Sequence, residues 1–203
     1  MSGIEAGGET QLRLMYTRHM KELKLTGNYL KNKKKKSEFE QLAYKNIGSF
    51  FRRRKKQYSC LQDHNFRSVF LMAKKTGELC HGSYNYHNII FSNGNTAVTN
   101  FDKYKNECQI SDLYQFMRKI LEKYDWDIQT AYKMMEEYDK IKPVSDTERA
   151  LLAALFAFPE KFWKVMNYYF NSNKAWIPPK TKEKLEKVVQ QNEKRQKFLE
   201  TLL

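Results

Sequence analysis

The chain has 203 residues and a mass of 24.4 kDa, enough for one domain with a hydrophobic core. Hydrophobic residues make up 41% and charged residues 30%, with only 8 glycines and 4 prolines, which excludes collagen-like and low-complexity classes. No apolar stretch is long enough for a transmembrane helix, and the first residues lack the pattern of a signal peptide. Three cysteines without C-x-x-C spacing (Cys60, Cys80 and Cys108) argue against a disulfide framework or a cysteine zinc site.

Positive charge is concentrated in the first part of the chain. The formal net charge is +14, and residues 1–80 hold 18 Lys and Arg against 7 Asp and Glu. The excess lies in two runs, residues 31–36 and 52–56, which contain Lys31, Lys33, Lys34, Lys35, Lys36, Arg52, Arg53, Arg54, Lys55 and Lys56. Such runs suit an acidic or polyanionic partner, and they are also typical of a solvated helix face followed by a loop. No zinc-finger or RNA-binding signature favours nucleic acid.

The first eighty residues are predicted to be helical after a disordered N-terminus at residues 1–9. Apolar residues at three- and four-residue spacing predict helices over about 10–25, 37–57 and 61–76. Gly27 and the lysine run are expected to form the loop between the first two helices. Gly77 is expected to end the third.

The pattern then changes to short β-prone runs at residues 88–91 and 96–101. They are joined by Ser92-Asn93-Gly94-Asn95, and Asn-Gly between two such runs predicts a β-hairpin. Helices resume at about 111–123, 126–139, 146–157, 159–171 and 180–201, with a Ser145–Glu148 capping box before the third of these. The last helix is very polar and is predicted to be peripheral. The fold class predicted is mainly α with one small hairpin.

The segment from His81 to Asp102 carries the pattern with chemical meaning. His81-Gly82 is followed by five residues and Asn88, then by the hairpin, and then by an apolar strand that ends in Asp102. This is the layout of a kinase catalytic lobe, in which the Asn and the Asp hold Mg²⁺ against the phosphates of ATP. Ordinary interpretations stay open, with Asn88 starting a strand, Asp102 in a turn and Asp112 as a helix N-cap.

These motifs resemble the aminoglycoside-phosphotransferase-like kinases, whose loop reads H-G-D-x-x-x-x-N, and within them the CotS-type spore coat proteins. The narrower resemblance rests on residues 79–82, 85–88 and 97–102, and it continues through 112–119, 158–164 and 171–178. It covers residues 79–203 closely and residues 10–78 only as a helical region in the expected place. The resemblance implies that residues 10–203 form the helical C-terminal lobe of a kinase-like fold, with the hairpin at the site.

The resemblance also implies roles for five residues. Asn88 and Asp102 match the metal ligands, while His81 and Asp112 match the histidine and the acid that brace the loop. Ser83 stands where active members carry the catalytic aspartate. Mg²⁺ and ATP are implied as cofactors only if this site is functional.

Two departures from the family pattern argue against catalysis. A serine hydroxyl cannot serve as a general base near neutral pH, and losing a general base typically costs about 10²–10⁴-fold in rate. Active members also place a β-sheet lobe with a phosphate-contacting lysine before the helical lobe. The eighty residues before His81 show no glycine-rich strand–loop–strand pattern. We therefore expect this chain to lack the nucleotide-binding lobe and to bind Mg²⁺-ATP weakly or not at all.

The sequence thus favours a spore-coat-associated, kinase-like protein that serves as a structural or binding component without turnover. It would be made in the cytoplasm of the mother cell and then join the spore coat, with coat proteins or further copies as partners. Tyr84 and Tyr86 are expected to be uncovered and to support association. Two alternatives stay open: an active ATP-dependent small-molecule or sugar kinase whose N-lobe is missing from this chain, and a basic polyanion-binding module that uses residues 31–36 and 52–56.

Overall fold

The computed structural model describes residues 7–51, 64–172 and 178–202 of the chain. Helices dominate, and four short strands lie between the third and fourth helices. In chain order the elements are α1 (Gly7–Asn32), α2 (Glu38–Phe51), α3 (His64–Thr76), β1 (Leu79–Cys80), β2 (Ile89–Ser92), β3 (Asn95–Val98), β4 (Lys105–Asn106), α4 (Ile110–Lys123), α5 (Ile128–Ile141), α6 (Asp146–Ala157), α7 (Glu160–Asn171), α8 (Lys180–Gln190) and α9 (Asn192–Thr201). The predicted fold class is confirmed. Within these ranges no helix has the length and hydropathy that crossing a bilayer requires.

Helix α1 is longer at both ends than the sequence predicted. It begins at Gly7, inside the stretch predicted to be disordered, and it continues through Gly27 to Asn32. Gly27 does not end the helix, because Leu30 beyond it is fully buried in the core. A Cβ atom at Gly27 would lie 3.4 Å from Cδ1 of Ile47, so the glycine lets α2 approach α1 closely.

The next two helices agree with the prediction where the structure describes them. Helix α2 begins after Ser37, whose amide donates to the Glu40 carboxylate (2.8 Å) while its hydroxyl accepts from the Glu40 amide (3.3 Å). This reciprocal pair is a capping box. Helix α3 ends at Thr76, and Gly77 has the positive φ of a C-terminal glycine, as predicted. The predicted end of the second helix, the run at 52–56 and Cys60 lie outside the described residues.

The prediction of one peripheral helix over 180–201 is wrong in two respects. The segment forms two helices, α8 and α9, which meet at Gln191, and each half buries apolar side chains. Leu185 of α8 and Phe198 of α9 are almost fully buried. The buried guanidinium of Arg195 donates to the carbonyl oxygens of Phe156 (2.8 Å) and Ala157 (2.7 Å) at the end of α6. The break lets two short apolar stripes in a polar sequence face different parts of the core.

The core consists of two clusters of buried side chains. One surrounds α4 and α6 and includes Met117, Leu121, Leu151, Phe156 and Phe198. The other joins α1, α2, α7 and α8, and its most deeply buried members are Leu23, Leu30, Ala43, Phe50, Phe162, Met166 and Leu185. Trp163 of α7 packs against both clusters. Each fully buried Leu or Phe side chain contributes about 1.5–3 kcal/mol to stability. The position of α4, and of the loop that precedes it, is therefore well fixed by the core.

The β structure consists of two separate antiparallel pairs. Strands β2 and β3 form the predicted hairpin, with Ile89 opposite Val98 and a turn at Asn93-Gly94 in which both residues have positive φ. Strands β1 and β4 were not predicted, because two-residue strands leave no periodic signal. Leu79 lies opposite Asn106 in this second pair, so it joins the two ends of the segment that contains the kinase-like motif.

Candidate functional site

The pairing of β1 with β4 closes a loop of residues 81–104. Four of the five predicted site residues lie in this loop, and the fifth, Asp112, lies in the first turn of α4. The Cys80 thiol at the start of the loop donates to the Glu107 carbonyl (3.0 Å). Burial raises the pKa of the Cys80 thiol well above its ordinary value and raises that of Cys108 to about 11. Both thiols are therefore poor nucleophiles, and neither is an activated cysteine.

Asp112 holds the start of the loop. Its Oδ2 accepts a hydrogen bond from the His81 amide (2.6 Å), and its Oδ1 accepts one from the Gly82 amide (3.0 Å). The N-cap of α4 is Gln109, so the ordinary interpretation of Asp112 as an N-cap does not describe its contacts. A carboxylate that accepts two backbone N–H groups fixes the path of the chain at that point.

His81 connects the loop to the end of the hairpin. Its Nε2 lies 2.8 Å from the Thr99 carbonyl oxygen, and its Nδ1 lies 3.1 Å from the Ser83 amide nitrogen. A carbonyl can only accept and an amide N–H can only donate, so Nε2 carries the proton and Nδ1 accepts. The buried ring also packs against Phe101, with 4.6 Å between ring centroids. His81 thereby braces both sides of the loop.

Gly82 allows the loop to contact the turn that carries Asp102. The residue has a φ of +75°, and a Cβ atom there would lie 1.9 Å from the Lys103 carbonyl oxygen. No other amino acid fits this contact without moving the backbone. The 3₁₀ turn Phe101–Lys103, and with it Asp102, is therefore packed against the loop that carries Ser83.

Asn88 links the loop to the hairpin through both ends of its side chain. Its amide Nδ2 donates to the Ser83 carbonyl (2.8 Å), and its Oδ1 accepts from Nδ2 of Asn100 (2.8 Å). Asn85 donates to the same Ser83 carbonyl (2.7 Å). Sequence reasoning missed Asn100. The sequence signal that could have drawn attention to it is an Asn two residues before Asp102 at the end of the strand, since Asn tolerates the left-handed backbone (φ 64°) found there.

The donors near Ser83 suit a magnesium ion only in part. Asp102 offers an exposed carboxylate, and Asn88 offers an amide oxygen that already accepts one hydrogen bond. Mg²⁺ prefers such oxygen donors and is usually held by one or two carboxylates together with phosphate oxygens. Asp102 and Asn88 could therefore hold the ion together with a nucleotide. The described residues contain no cluster of three or more His, Cys, Asp or Glu side chains arranged for a metal.

Ser83 lies on the wall of a cavity of about 480 Å³, which we call the basic cavity. Its described lining residues include five basic side chains and two acidic ones. The basic ones are Lys103, Lys105, Arg118, Lys119 and Lys164, and the acidic ones are Glu107 and Glu160. On the other side of the loop lies a larger apolar groove of about 670 Å³. Leu79, Val98, Phe101, Phe116 and Met134 contribute its apolar lining.

The apolar surface near the site differs from the prediction. Tyr84 and Tyr86 are only half-exposed, because the Tyr84 ring packs near Phe116 (5.4 Å between centroids) and Lys123 lies over the Tyr86 ring. Leu79 on β1 is exposed (59%), and the other exposed apolar side chains near the site are on the hairpin and just after it, namely Ile90 (51%), Phe91 (77%), Phe101 (53%) and Tyr104 (68%). We call these four residues the hairpin patch.

The described basic run, residues 31–36, is partly neutralised inside the protein. The Lys33 ammonium donates to the Glu40 carboxylate (2.6 Å), and the Lys36 ammonium donates to the Lys33 carbonyl (2.6 Å) and lies over the Tyr44 ring. Glu40 therefore offsets the charge of Lys33, whereas Lys36 is held in place by neutral groups and keeps its charge, so the run offers somewhat less charge to a polyanion than the sequence indicated.

Comparison with known proteins supports the kinase-like interpretation of the fold. Residues 71–202 match the family model described as "Spore coat putative kinase YutH". The structure is similar to that of an aminoglycoside phosphotransferase from Alicyclobacillus acidocaldarius, with a TM-score of 0.86 and 19% sequence identity. That similarity covers 94% of this chain and 57% of the phosphotransferase, so this chain spans just over half of its length. No curated protein matches the chain. The family resemblance read from the motifs is confirmed.

Proposed function

We propose that this chain, which belongs to the YutH family of spore coat kinase-like proteins, acts as a binding component of the coat without phosphoryl transfer. It would be made in the mother-cell cytoplasm and then incorporated into the coat, with coat proteins or further copies as partners. The kinase-like cleft would hold a ligand in place and leave it unchanged.

The observation that carries this proposal is Ser83 in an otherwise intact loop. Asp112, His81 and Asn88 make the hydrogen bonds that set the loop, and Gly82 makes the close contact that only glycine allows. The group presented at the catalytic position is a hydroxyl, which cannot take a proton from an acceptor at neutral pH. A cleft whose loop keeps its hydrogen bonds but which has no general base can still bind a ligand.

The metal donors support the same proposal. A bound Mg²⁺ would neutralise phosphate charge, and Asp102 with Asn88 would be its ligands. The amide oxygen of Asn88 already accepts a hydrogen bond from Asn100, and Ser83 adds no second carboxylate to that of Asp102. The protein would therefore hold Mg²⁺-ATP weakly.

The first test restores the missing base. We expect neither the wild-type chain nor the Ser83→Asp variant to turn over Mg²⁺-ATP, because positioning and charge stabilisation of the phosphates usually exceed the contribution of a base. Calorimetry should also give no micromolar affinity for Mg²⁺-ATP in either protein. Turnover of Mg²⁺-ATP by the wild-type chain would contradict the proposal. Robust turnover by Ser83→Asp, with none by the wild type, would leave the proposal standing and show that the base is the only catalytic group this chain lacks.

The second test asks whether the coat role needs the cleft chemistry. The gene in a spore-forming host would be replaced by versions carrying Ser83→Ala or Asp102→Asn, and coat incorporation would be followed by fractionation and fluorescence. We expect both variants to enter the coat as the wild type does. Normal protein levels with failed incorporation of Asp102→Asn would contradict a binding role that is independent of catalysis.

An ATP-dependent small-molecule kinase is the second candidate, and the preserved hydrogen bonds of Asp112 and His81 favour it. Phosphoryl transfer depends mainly on positioning, so loss of the base does not by itself abolish it. Turnover by the wild-type chain that disappears in Asp102→Asn would establish this candidate over the first.

A further inference from the structure

The charges around the basic cavity are not balanced by its own acids. Glu107 pairs with Lys105, and Glu160 is shared between Arg118 (3.3 Å) and Lys164 (2.5 Å). None of the salt bridges in the described part of the chain uses Lys103 or Lys119, although both line the cavity. The cavity wall therefore keeps a surplus of positive charge after every internal pair has been formed.

Lys119 shows that this surplus is costly in the protein as it stands. Burial lowers the pKa of its ammonium group, and the nearby positive charges of Arg118 and Lys164 lower it further. A partly buried ammonium surrounded by other cations is more stable when an anion lies close to it. Glu122 favours the charged form of Lys119, but its salt bridges within the described residues are with Arg118 and Lys161, so an anionic ligand can still pair with Lys119.

Two buried polar groups on the cavity wall also lack partners. The Ser111 hydroxyl and Nε of Arg118 make no hydrogen bond within the described residues, although each residue is more than nine-tenths buried. Buried polar atoms are nearly always hydrogen-bonded in folded proteins. A ligand or the water that accompanies it can supply the missing partners.

We propose that the basic cavity binds a small hydroxylated anion, such as a sugar phosphate or a sugar acid, beside Ser83, and that it rejects cationic aminoglycosides. The anion would lie against Lys103 and Lys119, the two lining lysines left without a salt bridge among the described residues, and its hydroxyl groups would face the polar edge formed by Ser83 and Asn85. A polycation would meet the surplus charge of the wall and be repelled. The inference rests on the proposed binding role of the cleft, because it names the ligand class of the same site.

The test compares probes of different charge on the purified chain at low ionic strength. Calorimetry would be run with inorganic phosphate, glucose 6-phosphate, glucuronate, uncharged glucose and the aminoglycoside kanamycin. We expect glucose 6-phosphate or glucuronate to bind at least tenfold more tightly than glucose or kanamycin, since charge-assisted hydrogen bonds are the stronger kind. Whichever of the two binds more tightly identifies the anion as phosphoryl or carboxylate. Equal or tighter binding of kanamycin would overturn the inference.

Single-charge variants locate the binding. Lys103→Gln and Lys119→Gln should each weaken binding of the anion by about tenfold, the typical effect of losing one charge-assisted hydrogen bond. Lys140→Gln, which removes an exposed lysine on α5, is the matched control and should leave the affinity unchanged. If all three variants bind the anion like the wild type, it is adsorbed elsewhere on this basic protein and the inference is wrong.

Turnover of the bound anion separates this inference from the proposed function. If Mg²⁺-ATP phosphorylates the anion that binds in the cavity, the non-catalytic function fails and the ligand class stands. If no anion binds to a chain with the helical circular dichroism of the folded protein, the ligand class fails and the coat role is unaffected.

Discussion

Gly82 and Gly94 both have positive φ, +75° and +77°, but they differ in what surrounds them. A Cβ atom at Gly82 would collide with the Lys103 carbonyl, whereas one at Gly94 would meet nothing within 4 Å. Gly94→Ala should therefore cost about 1 kcal/mol from backbone strain alone. Gly82→Ala should cost about 3 kcal/mol, because it adds the displacement of the turn that carries Asp102. Urea denaturation of the two variants measures the difference, and equal losses would show that the loop and the turn are not in contact.

Glu160 makes the protein's stability depend on pH in the acidic range. Burial alone would raise the pKa of its carboxyl, but Arg118 and Lys164 outweigh burial and hold it below the ordinary value of 4.5. Because the folded-state pKa is the lower one, the stabilisation is complete above about pH 4.5 and is lost as the pH falls through the folded-state pKa. Removing the carboxylate should weaken this dependence.

Glu160→Gln is the variant that tests this. It should reduce the free energy of unfolding at neutral pH by about 1–3 kcal/mol, because Arg118 loses a charged partner. It should also flatten the loss of stability between neutral pH and about pH 3. Glu193→Gln, on an exposed glutamate of α9, should change neither quantity. An acid profile of Glu160→Gln identical to that of the wild type would assign the acid sensitivity to other groups.

At the scale of elements, α9 is a structural part of the core. Phe198 is 1% exposed and packs edge-on against Phe156, with 5.0 Å between ring centroids. Phe198→Ala should lower the free energy of unfolding by about 3–5 kcal/mol, the usual cost of removing a buried aromatic ring. The neighbouring Lys197→Ala, at an exposed position, should stay within about 0.5 kcal/mol of the wild type. Similar small losses for both would mean that α9 is peripheral after all.

At the scale of the whole molecule, the hairpin patch is the surface best placed for assembly. Phe101 lies beside His81 of the loop, and the consecutive strand residues Ile90 and Phe91 expose apolar side chains on opposite faces of the hairpin. Exposed apolar surface of this kind often marks a site of association. Ile90→Ser with Phe91→Ser should reduce concentration-dependent self-association at high salt, measured by sedimentation velocity. Ile141→Ser removes an apolar side chain that is 88% exposed at the end of α5, and it should have no effect. Unchanged sedimentation of the double variant, or an equal effect of Ile141→Ser, would show that the hairpin patch does not mediate self-association.

Features that depend on a few neighbouring residues could be read from the sequence. Ser145 and Glu148 form the predicted capping box, Gly77 ends α3, and Asn93-Gly94 makes the hairpin turn. Each of these is fixed by backbone geometry and hydrogen bonds within four residues, so no distant contact can easily override it. The kinase-like pattern from His81 to Asp102 was readable for the same reason, because its spacing lies within one loop and one hairpin.

Features that depend on residues far apart in the chain required the tertiary structure. Gly27 looks like a helix end, yet α1 continues because Leu30 is buried and Ile47 of α2 needs the space that a side chain would take. The polar helix at 180–201 breaks at Gln191 and enters the core because its few apolar residues find partners on α2, α6 and α7. The surplus charge of the basic cavity follows from which lysines pair with Glu107 and Glu160, and a net charge of +14 cannot give that pairing. Composition sets how much charge and apolar surface the chain carries, whereas packing decides which of it is neutralised, buried or left to bind a partner.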